Sequence, residues 1–269
     1  MPKVSVITAT HNRARYLEEM FDSLLSQRGV DFEHIVIDDG STDDTRQVIR
    51  SFTDPSSHLY DHRVNAYSNP TRRGIISTYI EGVERSTGDF IKVLDDDDML
   101  IGSDSLRKQA GALEANPDVW LVASATRFVD ADLHPYKTRR YRKGSEIVDK
   151  HELRKRILFY PTSPFPHGSM MFTREAYEEL RVFDQELLCE VICSDGKIYY
   201  IDEPLFGYRT HKNNITNRLA TRIAATREKI SHVKRLADND LEPYVIPLMF
   251  YRSIMELGKA AWLQVRSKR

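Results

Sequence analysis

The segment Phe90-Ile91-Lys92-Val93-Leu94-Asp95-Asp96-Asp97-Asp98 sets the strongest constraint on what this chain can fold into. Five residues with the character of a buried strand run directly into four consecutive carboxylates. In open α/β sheets the C-terminal ends of the strands border the ligand crevice, so such a strand would deliver its acidic run there. Two unit charges ~4 Å apart interact by roughly 4 kcal/mol at an effective dielectric near 20, so clustered carboxylates favour a bound cation or a proton. Magnesium or manganese suits an oxygen-only donor set.

The surrounding sequence supplies the rest of such a sheet. Val4-Ser5-Val6-Ile7-Thr8 is apolar and β-branched on both faces, the pattern of a central strand covered by helices on both sides. After the polar corner His11-Asn12-Arg13, Leu17, Phe21, Leu24 and Leu25 recur at helical spacing until Gly29. A second strand, Phe32 to Ile37, ends in Asp38-Asp39-Gly40-Ser41, and Thr42 to Phe52 reads as a helix capped by Ser41 or Thr42. A third strand at Val64 to Ser68 leads through the basic turn Asn69-Pro70-Thr71-Arg72-Arg73-Gly74 into a helix over Ile75 to Arg85. This alternation predicts a doubly wound, mostly parallel α/β sheet flanked by helices. Beyond the acidic run the pattern predicts a helix at Ser105 to Ala115, strands at Val119 to Ala125 and His167 to Phe172, and a helix near Glu175 to Leu180. Strands at Lys197 to Ile201 and Leu205 to Arg209 bracket a turn at Asp202-Glu203-Pro204, and a helical tail follows from Ile215.

Charge and composition narrow the partners. With 39 Lys plus Arg against 40 Asp plus Glu, the chain gives no electrostatic reason to bind nucleic acid. Residues 215–269 hold 11 basic and 5 acidic residues, so the basic excess lies in the tail, where it suits peripheral contact with an anionic membrane surface or a homodimer contact. Cys189 and Cys193 make neither a disulfide framework nor a four-ligand zinc site. The N-terminus runs straight into strand pattern without a signal-peptide pattern, and the longest stretch free of Asp, Glu, Lys and Arg, Ile157 to Thr173, is broken by three prolines. The expected location is the cytoplasm, including the inner face of the membrane.

Three motifs, Val4-Ser5-Val6-Ile7-Thr8-Ala9-Thr10-His11-Asn12-Arg13, Ile35-Val36-Ile37-Asp38-Asp39-Gly40-Ser41-Thr42-Asp43 and Leu94-Asp95-Asp96-Asp97-Asp98, in this order and after Gly88-Asp89-Phe90-Ile91, resemble the family 2 glycosyltransferases. The resemblance covers roughly the first hundred residues and extends patchily to Pro204-Leu205-Phe206-Gly207-Tyr208-Arg209-Thr210-His211. It implies a GT-A fold and inverting transfer of a sugar from a nucleotide diphosphate donor, of UDP or dTDP type, to a sugar or lipid-linked acceptor hydroxyl in surface polysaccharide or glycan synthesis. By position, Ala9 and His11 would line the base pocket, Asp39 would accept from the base, and Asp95 and Asp96 would meet the ribose and donor. Arg72 and Arg73 would approach the diphosphate. Asp95, Asp97 and His211 would hold Mn2+ or Mg2+, with Asp97 foremost, and His167-Gly168-Ser169 would contribute to the acceptor floor. The implied halves are residues 1–100 for the donor and 101–211 for the acceptor, followed by the helical extension 212–269.

The sequence departs from this pattern twice. Tyr79 stands where the family often has a basic residue in the helix after the Arg72-Arg73 turn. The family's Glu-Asp pair, whose aspartate is the general base, is matched by Glu190-Val191, and the interval from Glu190 to Gly196 is short. Two readings follow: an enzyme with Glu190 as base, or a catalytically impaired nucleotide-sugar-binding protein of the same fold.

Overall fold

The computed structural model describes residues 3–159, 163–182, 184–212 and 214. They fall into two units: Met1–Val148 with Phe165–Arg209, and Asp149–Pro164 with Thr210–Arg269. Residues 215–269, and with them the expected helical tail, lie outside the described residues.

The first unit opens as the apolar patterning requires. Strand β1 (Lys3–Thr10) is buried from Val4 onward and pairs in parallel with β2 (Asp31–Asp38) on one side and β4 (Phe90–Val93) on the other. Helices α1 (Ala14–Leu25), α2 (Thr45–Thr53) and α3 (Ile75–Arg85) connect these strands and β3 (Val64–Ser68). Leu17, Met20, Phe21 and Leu24 form the buried face of α1, and Phe21 stacks on Phe52 of α2 at 4.0 Å. Helix α3 lies so close to β1 that a Cβ on Gly82 would stand 2.3 Å from Ile7 Cγ2. Helix α2 begins later than its sequence suggests: Ser41 does not cap it, because its hydroxyl accepts the backbone N–H of Asn12 instead.

The sheet continues with β5 (Met99–Leu100), β6 (Val119–Val129), β7 (Pro135–Arg139), β8 (Glu146–Ile147), β9 (Met170–Thr173) and β10 (Lys197–Arg209), and helix α4 (Ser105–Glu114) precedes β6. The main path is β3-β2-β1-β4-β9-β6-β10-β5. The strands β1, β2, β3, β4, β6 and β10 run one way, while β9 is inserted antiparallel between β4 and β6. Strand β10 holds one edge of β6 along its whole length; on the other edge β9 pairs with Leu121–Ala123 and β7 with Thr126–Val129. The turn expected at Asp202-Glu203-Pro204 is absent. The chain runs on as one strand through register shifts beside Pro204, which lacks the N–H that a regular ladder needs. Helices α6 (Arg174–Leu180) and α7 (Asp184–Cys193) follow β9, and α7 packs against β6 and β10.

In the second unit, Lys150–Phe159 forms helix α5, opened by Asp149, whose carboxylate accepts the N–H groups of His151 and Glu152. His211 belongs to this unit, and its backbone N–H donates to Asn214 Oδ1.

Candidate active site

The ends of β1, β2 and β4 are held together by hydrogen bonds between their loops. Thr10 O accepts the N–H of Asp39, and His11 Nδ1–H donates to Asp39 O at 2.8 Å. Asn12, in the left-handed region at φ 56°, accepts the N–H of Thr42 with its side-chain oxygen at 2.8 Å. Asp38 is buried; its carboxylate accepts Ser41 N–H and pairs with Arg46 at 2.6 Å. This brings Ala9, buried, and His11, half-buried, beside the corner that carries Asp39.

Asp39 fixes the basic turn. Its Oδ1 accepts Asn69 Nδ2–H at 3.0 Å and Arg73 N–H at 2.8 Å, and its Oδ2 accepts Gly74 N–H at 2.8 Å. Burial alone would raise its pKa; the donors from Arg73, Asn69 and Gly74 outweigh burial and lower it, so the group stays a carboxylate. Gly40 makes the approach feasible, since at φ 74° a Cβ there would lie 2.9 Å from Arg72 N. Arg72 is exposed, and the Arg73 guanidinium pairs with Glu81 on α3 at 2.8 Å. The turn's backbone is therefore anchored to Asp39 while Arg72 faces solvent.

The four aspartates divide their tasks. Asp98 is buried and accepts the N–H of Arg209, at the end of β10, at 2.8 Å. Asp95 accepts the hydroxyl of Tyr79 from α3. Arg13 Nε stands 3.6 Å from Asp96, and Arg13 Nη2 stands 4.0 Å from Asp97. Burial pushes the Asp96 carboxyl well above its ordinary range, with the charge of Asp97 adding to it, and burial with Asp97 and Asp95 does the same to Asp98. Packing has thus gathered four carboxyl groups at the end of β4, with Arg13 beside two of them and the two buried ones pushed toward their neutral forms.

These groups fit a divalent ion of a particular kind. Among the described residues no three His, Cys, Asp or Glu side chains form a ready-made cage. A hard cation held by one or two carboxylates and completed by substrate phosphates needs no such cage. Asp95 and Asp97, half-buried where Asp96 and Asp98 are buried, are the members of the run with exposed surface.

Beside the acidic run lies the short 3-10 turn His167–Ser169, expected as strand and observed to precede β9. Three side chains hold it from below. Lys92 Nζ, fully buried, donates to Gly168 O at 2.7 Å and to Met170 O at 3.4 Å; Gln109 Nε2 donates to Ser169 O at 2.9 Å; and Ser124 Oγ is 3.4 Å from the same oxygen. Burial lowers the Lys92 pKa to about 7. The His167 ring lies 5.7 Å from Tyr79, whose hydroxyl reaches Asp95, so the turn abuts the acidic run through one aromatic pair. Lys92 escapes the sequence reading, although it is the one charged residue in an apolar strand; Tyr79 stands out there as a departure from a pattern, and Asn12, Arg13 and Asn69 only as parts of the polar corner and the basic turn. Glu190 is half-buried on α7, and the following Val191 is fully buried, so no second carboxylate stands at that position.

Comparison with known proteins agrees with this geometry. The family model "Glycosyl transferase family 2" matches residues 5–181, a span that includes all three strand ends and the 167–169 turn. The chain belongs to glycosyl transferase family 2. Within the family it is 29% identical over 180 residues to EpsE of Bacillus subtilis, named as a glycosyltransferase, covering 67% of this chain and 59% of EpsE. It is 36% identical over 102 residues to the GalNAc(5)-diNAcBac-PP-undecaprenol beta-1,3-glucosyltransferase of Campylobacter jejuni, covering 38% of this chain and 31% of that protein. The chain spans about half the length of the curated relatives it matches, 44% of an uncharacterized glycosyltransferase of Haemophilus influenzae being another case. Among solved structures, S. aureus TarS in complex with UDP-GlcNAc superposes with a TM-score of 0.67 at 16% identity, covering 86% of this chain and 66% of TarS. The mannosyltransferase PcManGT of Pyrobaculum calidifontis, in complex with GDP-Man and Mn2+, gives 0.63 at 21% identity, covering 99% of this chain and 75% of that one. The family 2 chain therefore has the GT-A fold.

Proposed function

We propose that this chain transfers a glycosyl residue, with inversion and with a divalent cation, from a nucleotide diphosphate sugar to an acceptor hydroxyl. The observation that carries this reading is the convergence of His11, Asp39 and the Asp95–Asp98 run on one sheet edge, with two of the carboxyls buried and pushed up by their neighbours. The solved complexes with UDP-GlcNAc and with GDP-Man and Mn2+ support a nucleotide-sugar donor here. The polyprenyl pyrophosphate in the name of the Campylobacter relative supports a lipid-linked acceptor, met at the inner face of a membrane, in glycan assembly. Among the described residues no helix is long and apolar enough to cross a membrane.

Mechanistically, Ala9 and His11 would flank the nucleobase, Asp39 would keep the Arg72-Arg73 turn beside the diphosphate, Asp95 and Asp97 would hold the cation, and Asp96 would meet the ribose. Tyr79 orients Asp95 through its hydroxyl. Bound there, the cation supplies Lewis-acid stabilisation of the charge on the departing nucleoside diphosphate. Glu190 takes the proton from the acceptor hydroxyl as its oxygen bonds to the anomeric carbon and the bond from that carbon to the diphosphate oxygen breaks. His211 is assigned to the cation from the family resemblance alone.

A second reading, a nucleotide-sugar binder without turnover, is favoured by the buried Val191 beside Glu190. A panel of UDP, dTDP and GDP sugars with Mn2+, Mg2+ or chelator, read by thermal shift and by nucleoside diphosphate release, separates the two. Release above background that Glu190→Gln abolishes supports the enzyme; a shift without release supports the silent binder.

A further inference from the structure

His34 is wholly buried in the sheet, edge-on to Phe21 of α1 at 5.2 Å between ring centroids. Its Nδ1 has no hydrogen-bond partner among the described residues, so Nε2, 3.0 Å from Thr8 Oγ1, makes the ring's hydrogen bond. A buried polar atom left unpaired costs stability that an apolar side chain in the same place would not. The fold accepts that cost for the bond made by the other nitrogen.

The partners decide where the protons lie. Thr8 Oγ1 is 2.8 Å from Leu94 O, a carbonyl that can only accept, so the one hydroxyl proton of Thr8 points there. Thr8 Oγ1 then accepts from His34, and Nε2 carries the single proton of a ring that burial holds neutral. Donors run in one direction from His34 through Thr8 to Leu94, and all three residues are fully buried.

Leu94 is where β4 parts from β1. The parallel ladder between them ends at the pair Ile7 and Val93, with Leu94 N–H donating to Ile7 O at 3.0 Å. Strand β1 stays paired with β2 for three residues more, as far as Thr10 and Asp38. Past the last β1–β4 pair, a side-chain hydroxyl holds the Leu94 carbonyl. That carbonyl lies in the plane of the peptide that begins Asp95, so fixing it fixes the direction in which the acidic run leaves the sheet. The run then turns back on itself through Asp98 N–H to Asp95 O at 3.2 Å.

We propose that Thr8 and His34 are positioning residues: by fixing the Leu94 carbonyl they hold the Asp95–Asp97 backbone in the arrangement that receives a divalent cation. This rests on the glycosyl-transfer reading and adds to it two residues buried out of reach of any ligand. A small hard cation demands near-ideal ligand geometry, so a modest rotation of that peptide weakens the cation before it weakens the fold.

The test uses the full chain with Thr8→Val, which keeps the side-chain shape and removes the hydroxyl, and Thr8→Ser, which keeps the hydroxyl. Hydrogen exchange by mass spectrometry reads the acidic run directly. The Leu94 and Asp98 amides should exchange about tenfold faster in Thr8→Val and within about twofold of the parent in Thr8→Ser. Calorimetric titration of UDP, dTDP and GDP, each with Mn2+ and with chelator, reads the function. For the nucleotide that binds the parent, the ratio of affinities with and without Mn2+ should fall about tenfold in Thr8→Val, while the affinity in chelator stays within about twofold and Thr8→Ser keeps the parent's ratio. A merely structural defect would lower both affinities together. His34→Leu removes the ring donor and should move exchange and ratio in the same direction by a smaller factor; a parent-like His34→Leu overturns the histidine's part. Parent-like exchange and ratio in Thr8→Val, an equal loss in Thr8→Ser, or both affinities falling together would overturn the proposal. Absence of nucleotide binding by the parent defeats the donor reading alone, and exchange then decides: quickening confined to the variants that lose the donor upholds the positioning, and unchanged exchange overturns it.

Discussion

The backbone N–H of Arg209 donates to Oδ1 of Asp98 at 2.8 Å, joining the end of β10 to the acidic run across 111 residues of sequence. Asp98 therefore serves the fold, while Asp95 and Asp97 keep surface for a ligand. Asp98→Ala leaves that buried N–H without its acceptor, and the expected loss of stability is about 1–3 kcal/mol. Asp98→Asn retains a side-chain carbonyl and should lose less. Urea denaturation of the three proteins checks the order.

Gly40→Ala tests the anchoring of the basic turn. At φ 74° the alanine pays left-handed strain of about 1–2 kcal/mol, and its Cβ would press on Arg72 N and Thr71 C. Stability should fall by at least that strain, and nucleoside diphosphate affinity should fall with it, because Asp39 can no longer hold Arg73 N–H and Gly74 N–H in place. Unchanged affinity in a destabilised variant would separate the turn from the ligand.

Acid sensitivity follows from His34. Its Nε2–H faces Thr8 Oγ1 at 3.0 Å, and Thr8 donates onward to Leu94 O at the threshold of the acidic run. Burial lowers the His34 pKa to about 3, against 6.5 for the unfolded chain. The unfolded state thus takes up a proton between these values while the folded state does not. This contribution to stability is intact above pH 6.5 and declines by roughly 1.4 kcal/mol per unit as pH falls toward 3. The His34→Gln variant should show a shallower decline over that window in pH-dependent urea unfolding; parallel curves would refute the assignment.

Lys92→Met removes the buried donor beneath the 167–169 turn. Gly168 O then lacks its strongest partner, so amide exchange at Ser169 and Met170 should quicken, with a stability cost of about 1–3 kcal/mol at pH 7. The folded-state pKa near 7 lies below the unfolded value of 10.5, so the wild type should gain stability over Lys92→Met as pH rises between the two. Hydrogen exchange by mass spectrometry and urea midpoints at pH 7 and 9.5 provide the check.

The sequence was most informative where a single rule decides the outcome. The doubly apolar Val4 to Thr8 reads as a central strand and forms one, and Ile75 to Arg85, between the Gly74 turn and the Gly88-Asp89 break, forms α3 over those residues. It was less informative where a distant partner decides. Pro204 signalled a turn, but pairing with β6 on one side keeps Lys197–Arg209 in one strand. The 167–169 turn read as strand because the lysine, glutamine and serine that hold it come from β4, α4 and β6. Within the site, Asp39 and the Asp95–Asp98 run were visible as acidic residues at strand ends. Their division into fold-bearing and ligand-facing members depends on Arg209, Tyr79 and Arg13, none of which is near them in sequence.

The most direct test of the central claim is calorimetric titration of UDP, dTDP and GDP into the protein with Mn2+ and with chelator, repeated on Asp97→Asn. The account predicts that at least one nucleotide binds with Mn2+, that chelator weakens it at least tenfold, and that Asp97→Asn does the same without loss of thermal stability. Binding indifferent to Mn2+ and to Asp97, or no binding of any of the three, would contradict it.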